Sequence, residues 1–272
     1  MIIGGSPGLS GAVILAARAA LRSGCGLVTA ALPTEQVTPF DTAVPEAMSL
    51  TLPADPEGAA TGAGERILAP ALEQADAVVL GPGLGRARAT EALFAAVLDR
   101  YNGPTVIDAD GLWFLAGDRE RRLSPVGDPD RRTAWVLTPH ARELERLAGT
   151  DGAQFSAQWP GVLVAKGPRT EVRQGDRTAE NETGGPALAT GGTGDVLAGV
   201  IGAFLARGEE PWLAARRGVW VHGLAGDRAA QRCGEESVIA SDVIAELPNA
   251  IRVAKGERET EIDAGSDDHQ ER

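Results

Sequence analysis

Apolar positions recur along this chain in two rhythms. Short apolar runs of strand length stand at Ile2-Ile3 and at residues 26–31, 76–80, 104–107, 135–137 and 162–165. Between them, residues 12–22, 64–74, 89–100 and 142–148 carry apolar side chains at helical spacing, with Gly24 as a stop after the first. Strand, loop, helix, strand is the grammar of a parallel sheet, because a parallel neighbour needs a crossover and the crossover helix covers one face. The pattern predicts an α/β fold with a mostly parallel central sheet flanked by helices on both faces.

Glu171-Val172-Arg173 and Arg177-Thr178-Ala179 alternate around Gly175-Asp176 as a hairpin of edge strands. Three helices follow, over 193–207, 211–233 and 241–253, with Pro211 at a first-turn position. Three stretches break the pattern. Thr38 to Pro53 reads as irregular with an exposed turn over 43–48, Gly117 to Arg132 as a charged surface loop, and Gly149 to Gly161 as a short connection without a helix. Ile2-Ile3 reads as the tail of a strand whose beginning is missing. Residues 1–254 are expected to form one domain and residues 255–272 a disordered acidic tail. From Gly256 onward there are two basic and seven acidic groups and almost no apolar ones.

One stretch concentrates the candidate chemistry, Ala189-Thr190-Gly191-Gly192-Thr193-Gly194-Asp195-Val196-Leu197. Val196, Leu197, Val200, Ile201, Phe204 and Leu205 recur at helical spacing, so the glycines sit at the mouth of a helix. A helix start presents unpaired N–H groups and partial positive charge. Glycines let an anion approach that backbone closely, so the stretch reads as a cradle for phosphate. A carboxylate beside an anion hole makes sense if Asp195 takes a proton from a hydroxyl that attacks the phosphate. The alternative is a glycine-rich turn with Asp195 as a helix cap.

Other candidates lie at the ends of predicted strands, where open parallel sheets bind their ligands. Gly81-Pro82-Gly83-Leu84-Gly85 is a binding loop or a tight connection. Asp108 and Asp110 contact substrate or a metal's water, or cap the helix from Leu112. His140 and Glu143 share one face of a helix start, for function or for structure. Lys166-Gly167-Pro168-Arg169-Thr170 offers a second anion contact, or simply opens a solvated hairpin.

Composition narrows the partners. The 272 residues can bury a sizeable core, and 26 basic against 38 acidic residues give a net charge of −12. That balance argues against nucleic acid or an anionic membrane as the main partner, so an anionic substrate must be met by helix ends and glycine loops. Cys25 and Cys233 have no metal-like spacing and read as reduced thiols of a cytoplasmic protein. No apolar run reaches bilayer length, and no basic segment precedes an apolar one at the N-terminus.

Several motifs occur in one order: Gly4-Gly5-Ser6, Ala20-Leu21-Arg22-Ser23-Gly24, Pro45-Glu46-Ala47-Met48, Gly81 to Gly85, Asp108-Ala109-Asp110, Leu137-Thr138-Pro139-His140, Lys166-Gly167, Ala189 to Asp195 and Val221-His222-Gly223-Leu224-Ala225-Gly226. Together, over about residues 1–250, they resemble the ADP/ATP-dependent NAD(P)H-hydrate dehydratases of the ribokinase-like superfamily. The resemblance implies repair of NADHX and NADPHX in two stages. A nucleotide phosphorylates the C6 hydroxyl of the hydrated ring, then phosphate leaves and the double bond returns. It implies Asp195 as the base, Gly192, Thr193 and Gly194 as the anion hole, and Lys166, Gly167, Pro168, Arg169, Thr170 and Gly194 at the nucleotide. Ala12, Gly83, His140 and Asp195 would contact the hydrated dinucleotide, and Glu143 would hold Mg2+ through water. ADP or ATP is the implied co-substrate, with a homo-oligomer, a tetramer by resemblance, and a functional link to an NAD(P)HX epimerase. Three departures stand out: a family segment of roughly two dozen residues is absent before Ile2, glycine stands at Gly185 where asparagine is frequent, and the connection after Gly149 is short. A small-molecule kinase of the same superfamily, of hydroxymethylpyrimidine or thiazole type, is the alternative activity. A non-catalytic nucleotide-binding protein is the other.

Overall fold

The computed structural model describes residues 1–117, 129–149 and 152–256. The acidic tail beyond Gly256 and residues 118–128 of the predicted surface loop lie outside the described residues. The strands are β1 (Ile2–Ile3), β2 (Thr29–Pro33), β3 (Met48–Leu52), β4 (Val78–Leu80), β5 (Thr105–Ile107), β6 (Trp135–Leu137), β7 (Val162–Ala165), β8 (Glu171–Gln174) and β9 (Arg177–Glu180). They form one sheet in the order β3-β2-β1-β4-β5-β6-β7-β8-β9. β1 to β7 run parallel, and the β8–β9 hairpin adds antiparallel to β7 at the edge.

The helices are α1 (Ser10–Arg22), α2 (Thr34–Ala43), α3 (Glu65–Glu73), α4 (Arg88–Arg100), α5 (Asp110–Gly117), α6 (Ala141–Ala148), α7 (Gly152–Gln158), α8 (Thr193–Ala206), α9 (Pro211–Cys233) and α10 (Ala240–Ala254). Alternation along each strand divides the core. Ile2, Val79, Val106 and Val136 face one apolar layer with residues of α1, α8, α9 and α10. Ile3, Leu80, Ile107 and Leu137 face the opposite layer with residues of α3 to α7. The register pairs Ile2 with Val79 and Val79 with Val106, so the two faces stay in phase across the sheet.

Two expected irregular stretches are ordered. Thr38 to Pro53 contains most of α2 and all of β3. Pro39 reads as a breaker in sequence, yet it sits inside α2, whose Phe40 is fully buried. Packing of that ring outweighs the lost backbone bond. Gly149 to Gly161 contains the seven-residue α7, anchored by buried Phe155 and Trp159 with ring centroids 6.1 Å apart. The strand expected over 26–31 instead begins at Thr29.

α8 is apolar on nearly every side and lies directly against the sheet and α1. A Cβ on Gly199 would stand 2.2 Å from the Ala16 carbonyl oxygen, so the crossing of α1 and α8 requires glycine there. Gly199→Ala should therefore cost about 2–3 kcal/mol in urea unfolding. Gly11→Ala, where a Cβ meets open space, should hold or raise stability. Equal stability of the two variants would contradict the close packing of α1 on α8.

Candidate active site

β1 lies between β2 and β4, so the strand order reverses there. Such a reversal opens a crevice beyond the carboxyl ends of the strands. The loops after β1 and β4 line it, and the Gly5 N–H donates to the Pro82 carbonyl at 3.0 Å. A Cβ on Gly83 would stand 2.4 Å from the Leu9 oxygen and 3.1 Å from Ala12 Cβ. The fold thus brings Ala12 and Gly83, 71 residues apart in sequence, side by side with no room for a side chain on Gly83.

The strand after the crevice carries Asp108-Ala109-Asp110. Ala109 has φ 49°, the one non-glycine residue with positive φ among the described residues. This left-handed step turns the two acids to different partners. Asp108, 2 % exposed, accepts from Lys166 Nζ at 2.9 Å. Asp110 accepts from the Gly85 N–H at 3.0 Å and from Arg86 Nε at 2.7 Å. Asp110 opens α5 itself and ties the glycine loop down, rather than capping a helix that begins at Leu112.

The N-terminus of α8 points at this pair. A Cβ on Gly194 would lie 3.2 Å from Lys166 Nζ and 3.7 Å from Asp108 Oδ2. Gly192 is the N-cap, with φ 88° and no side-chain cap, so the first-turn N–H groups keep their donors for another acceptor. The Thr193 hydroxyl lies 2.8 Å from the Leu188 oxygen and 2.9 Å from the Thr190 oxygen, which pins the glycine stretch. Asp195 is the third residue of α8, inside its first turn, and the cap position belongs to Gly192.

His140 has a structural task. Its Nδ1 accepts from the N–H groups of Arg142 and Glu143 at 3.2 and 3.3 Å, and its own N–H donates to Glu143 Oε2 at 2.9 Å. This is a reciprocal cap of α6 made with an imidazole. A bridge between His140 and Lys166 ties the ends of β6 and β7, so the cap also fixes the lysine's backbone. The 166–170 loop divides. Lys166 turns inward, Gly167 to Arg169 are exposed, and Thr170 closes the turn on the Gly167 oxygen at 3.3 Å. The Arg169 side chain is 79 % exposed and pairs with Glu180 at 3.0 Å, away from the lysine.

One cation thus faces several acids. Burial, reinforced by Asp108 and opposed by Lys166, pushes Asp195 up to about 7. Burial also raises Glu143, against the pull of Lys166. For Lys166 burial works downward, but Asp108 and Glu143 more than offset it, so the ammonium stays charged. His222 of α9 is buried, with Nε2 lacking a protein partner; burial pushes it down to about 4 against a raising contact from the Thr193 backbone. It remains neutral and adds no charge. Sequence alone left Asp108 without its partner, because Lys166 lies 58 residues away. His222 was visible only as part of a motif.

Fold and site define the class: a ribokinase-like α/β protein with a glycine-rich helix mouth and a half-buried acid in the first turn beside it. A family model described as NAD(P)H-hydrate dehydratase matches residues 1–249, and the chain belongs to that family. It is 39% identical to a bifunctional NAD(P)H-hydrate repair enzyme of Moorella thermoacetica, over 97% of this chain and 51% of that protein. It is 35% identical to an ADP-dependent (S)-NAD(P)H-hydrate dehydratase of Xanthomonas campestris, over 94% of this chain and 89% of that one. The chain spans about half the length of the bifunctional relatives. A Bacillus subtilis ADP/ATP-dependent NAD(P)H-hydrate dehydratase, co-crystallized with ATP and Mg2+, superposes with a TM-score of 0.72 at 25% identity, over 93% of this chain and 88% of that one. No described helix is long and apolar enough to cross a membrane.

The raised Asp195 has a stability signature. Its folded value of about 7 lies above the reference 3.8, so its contribution is present below about pH 4 and is lost as pH rises through 7. Asp195→Asn should therefore be more stable than the parent at pH 8 by about 1–2 kcal/mol, allowing for partial solvent screening. The difference should close toward pH 4. Urea unfolding at both pH values tests this, and equal stability at pH 8 would mean that Asp195 ionises freely.

Proposed function

We propose that this protein is an ADP-dependent (S)-NAD(P)H-hydrate dehydratase, which restores NADHX and NADPHX to NADH and NADPH with release of AMP and phosphate. The observation that carries the reading is Asp195, half-buried and poised at about 7, in the first turn of the helix whose glycine mouth faces Lys166. A base matched to neutral pH is what abstraction of a hydroxyl proton requires. The membership of residues 1–249 in the family supplies the substrate.

In this reading Asp195 takes the proton of the C6 hydroxyl, and the oxygen attacks the terminal phosphoryl group of the nucleotide. The N–H groups of Gly192, Thr193 and Gly194 and the Lys166 ammonium receive the charge that develops on the phosphoryl oxygens. AMP departs. The ring nitrogen then expels phosphate from C6, and loss of the C5 proton restores the double bond. Hydroxide leaves poorly and phosphate well, which is why a nucleotide is consumed at all. Thr170 and Gly167 shape the nucleotide side, while Ala12, Gly83 and the exposed edge of His140 face the dinucleotide.

Mg2+ is part of the proposal. Among the described residues no cluster of three or more metal-type ligands forms a cage. Mg2+ at a phosphate site is held by one or two carboxylates, water and the phosphates themselves. Glu143 and Asp108, two carboxylates around one lysine, fit that donor set, and the ion would neutralise phosphoryl charge. A cytoplasmic setting, a homo-oligomer and cooperation with an NAD(P)HX epimerase belong to the same reading, the last supported by the bifunctional repair enzymes among the relatives.

With hydrated cofactor and ADP, the protein should release AMP, phosphate and reduced cofactor in equal amounts, read by phosphorus NMR and by absorbance of the reduced nicotinamide. Asp195→Asn should lose about 10²–10⁴-fold in turnover. Accumulation of a phosphate ester from a pyrimidine or thiazole alcohol, with no absorbance gain from NADHX or NADPHX, would replace the dehydratase by a kinase.

A further inference from the structure

Near the proposed reaction centre an aromatic ring holds two guanidinium groups. The guanidinium carbon of Arg86 lies 4.4 Å from the ring centroid of Trp113, and that of Arg146 lies 4.3 Å from it. Both guanidinium groups are therefore within cation–π distance of the one indole.

Three connections join this stack to the site. Arg86 follows Gly85 directly and donates through Nε to Asp110, the acid that also holds the Gly85 N–H. Trp113 follows Asp110 by three residues on α5, so the two share a helix face. Arg146 follows Glu143 by three residues on α6, again on one face. The inner turn carries the acids near Asp195, and the next turn outward carries the tryptophan and the arginine. The stack therefore spans the loop of Gly83 and the helix that His140 caps.

All three side chains reach solvent: Arg86 is 51 % exposed, Trp113 is 36 % exposed, and Arg146 is exposed. The Arg86 terminal nitrogens make no hydrogen bond among the described residues, and Arg146 has no ion-pair partner among them. Contact with the ring fixes the guanidinium groups before any ligand arrives, which lowers the ordering cost of binding. Arg169, three residues after Lys166, is engaged by Glu180. In a chain of net charge −12, the stack is a cationic surface joined to the crevice through Asp110 and Glu143, with Arg86 paired to Asp110 through Nε.

We propose that Arg86, Trp113 and Arg146 form a phosphate subsite for the hydrated dinucleotide, separate from the phosphoryl-transfer centre. This inference rests on the dehydratase reading. With the nicotinamide end at Asp195, the phosphate-bearing end of the dinucleotide projects outward, and two guanidinium groups match phosphate in geometry and charge. The ligand groups are the diphosphate, common to NADHX and NADPHX, and the 2′-phosphate that only NADPHX carries.

The test is steady-state kinetics of the parent, Arg146→Ala, Arg146→Lys and Trp113→Leu with both hydrated cofactors, beside calorimetric titration with NADP+ and NAD+. Arg146→Ala should raise KM about tenfold, with the larger effect on KM rather than kcat, and Arg146→Lys should recover part of it. Trp113→Leu should shift KM in the same direction, because the guanidinium groups lose their platform. A rise confined to NADPHX assigns the stack to the 2′-phosphate, and an equal rise for both assigns it to the diphosphate. Unchanged KM and unchanged calorimetric affinity for both cofactors would overturn the subsite while leaving the dehydratase reading intact. Absence of turnover in the parent would remove that reading instead, and the titrations would still decide whether the stack binds a phosphorylated dinucleotide.

Discussion

The Lys166–Asp108 ion pair is the contact on which the site depends. It joins the carboxyl ends of β5 and β7 across β6, at 2.9 Å, with the aspartate almost fully buried. A buried pair of this kind is weak evidence for added stability, since desolvation of both partners works against it. Its consequence is positional. It holds an ammonium group against Gly194 at the mouth of α8 and keeps a carboxylate close to Asp195. Without the lysine, several acids would crowd one crevice uncompensated. Without Asp108, the lysine would have no fixed place among them. The arrangement leaves Asp195 near neutrality in its proton affinity, which an exposed aspartate does not reach.

The same economy of charge explains how an acidic protein can receive anionic ligands. In the proposed reaction the phosphoryl group would meet backbone N–H donors and a single lysine, devices that leave the net charge of −12 unaltered. Close packing delivers those donors: Gly199 lets α8 sink against α1, and the helix axis then carries its N-terminus to the strand ends. Core and site are linked by that one crossing. The left-handed Ala109 serves the same end locally, since it separates the two acids that would otherwise face one another.

Much of this was legible in sequence where the signal was local. The glycine stretch before an apolar helical run located the mouth of α8, and alternating apolar strands and helices gave the parallel sheet. The β8–β9 hairpin followed from alternation around Gly175-Asp176. What escaped depended on long-range packing. α2 carries Pro39 inside it and is held by the burial of Phe40, which sequence does not display. α7 is too short for periodicity to register, and two aromatic residues hold it. His140 stood between a functional and a structural reading, and its cap required the backbone of α6 to be seen. Asp108 needed Lys166, and Asp110 needed the glycine loop, for their roles to separate.

The account turns on a half-buried aspartate that changes protonation near pH 7. The most direct measurement is the pH dependence of kcat/KM for the hydrated cofactor with saturating ADP. It should fall about tenfold per pH unit below an apparent pKa near 7, where Asp195 gains its proton. A profile that stays flat down to pH 5, or that turns only near the ordinary carboxylate value, would contradict the role of Asp195 as the poised base.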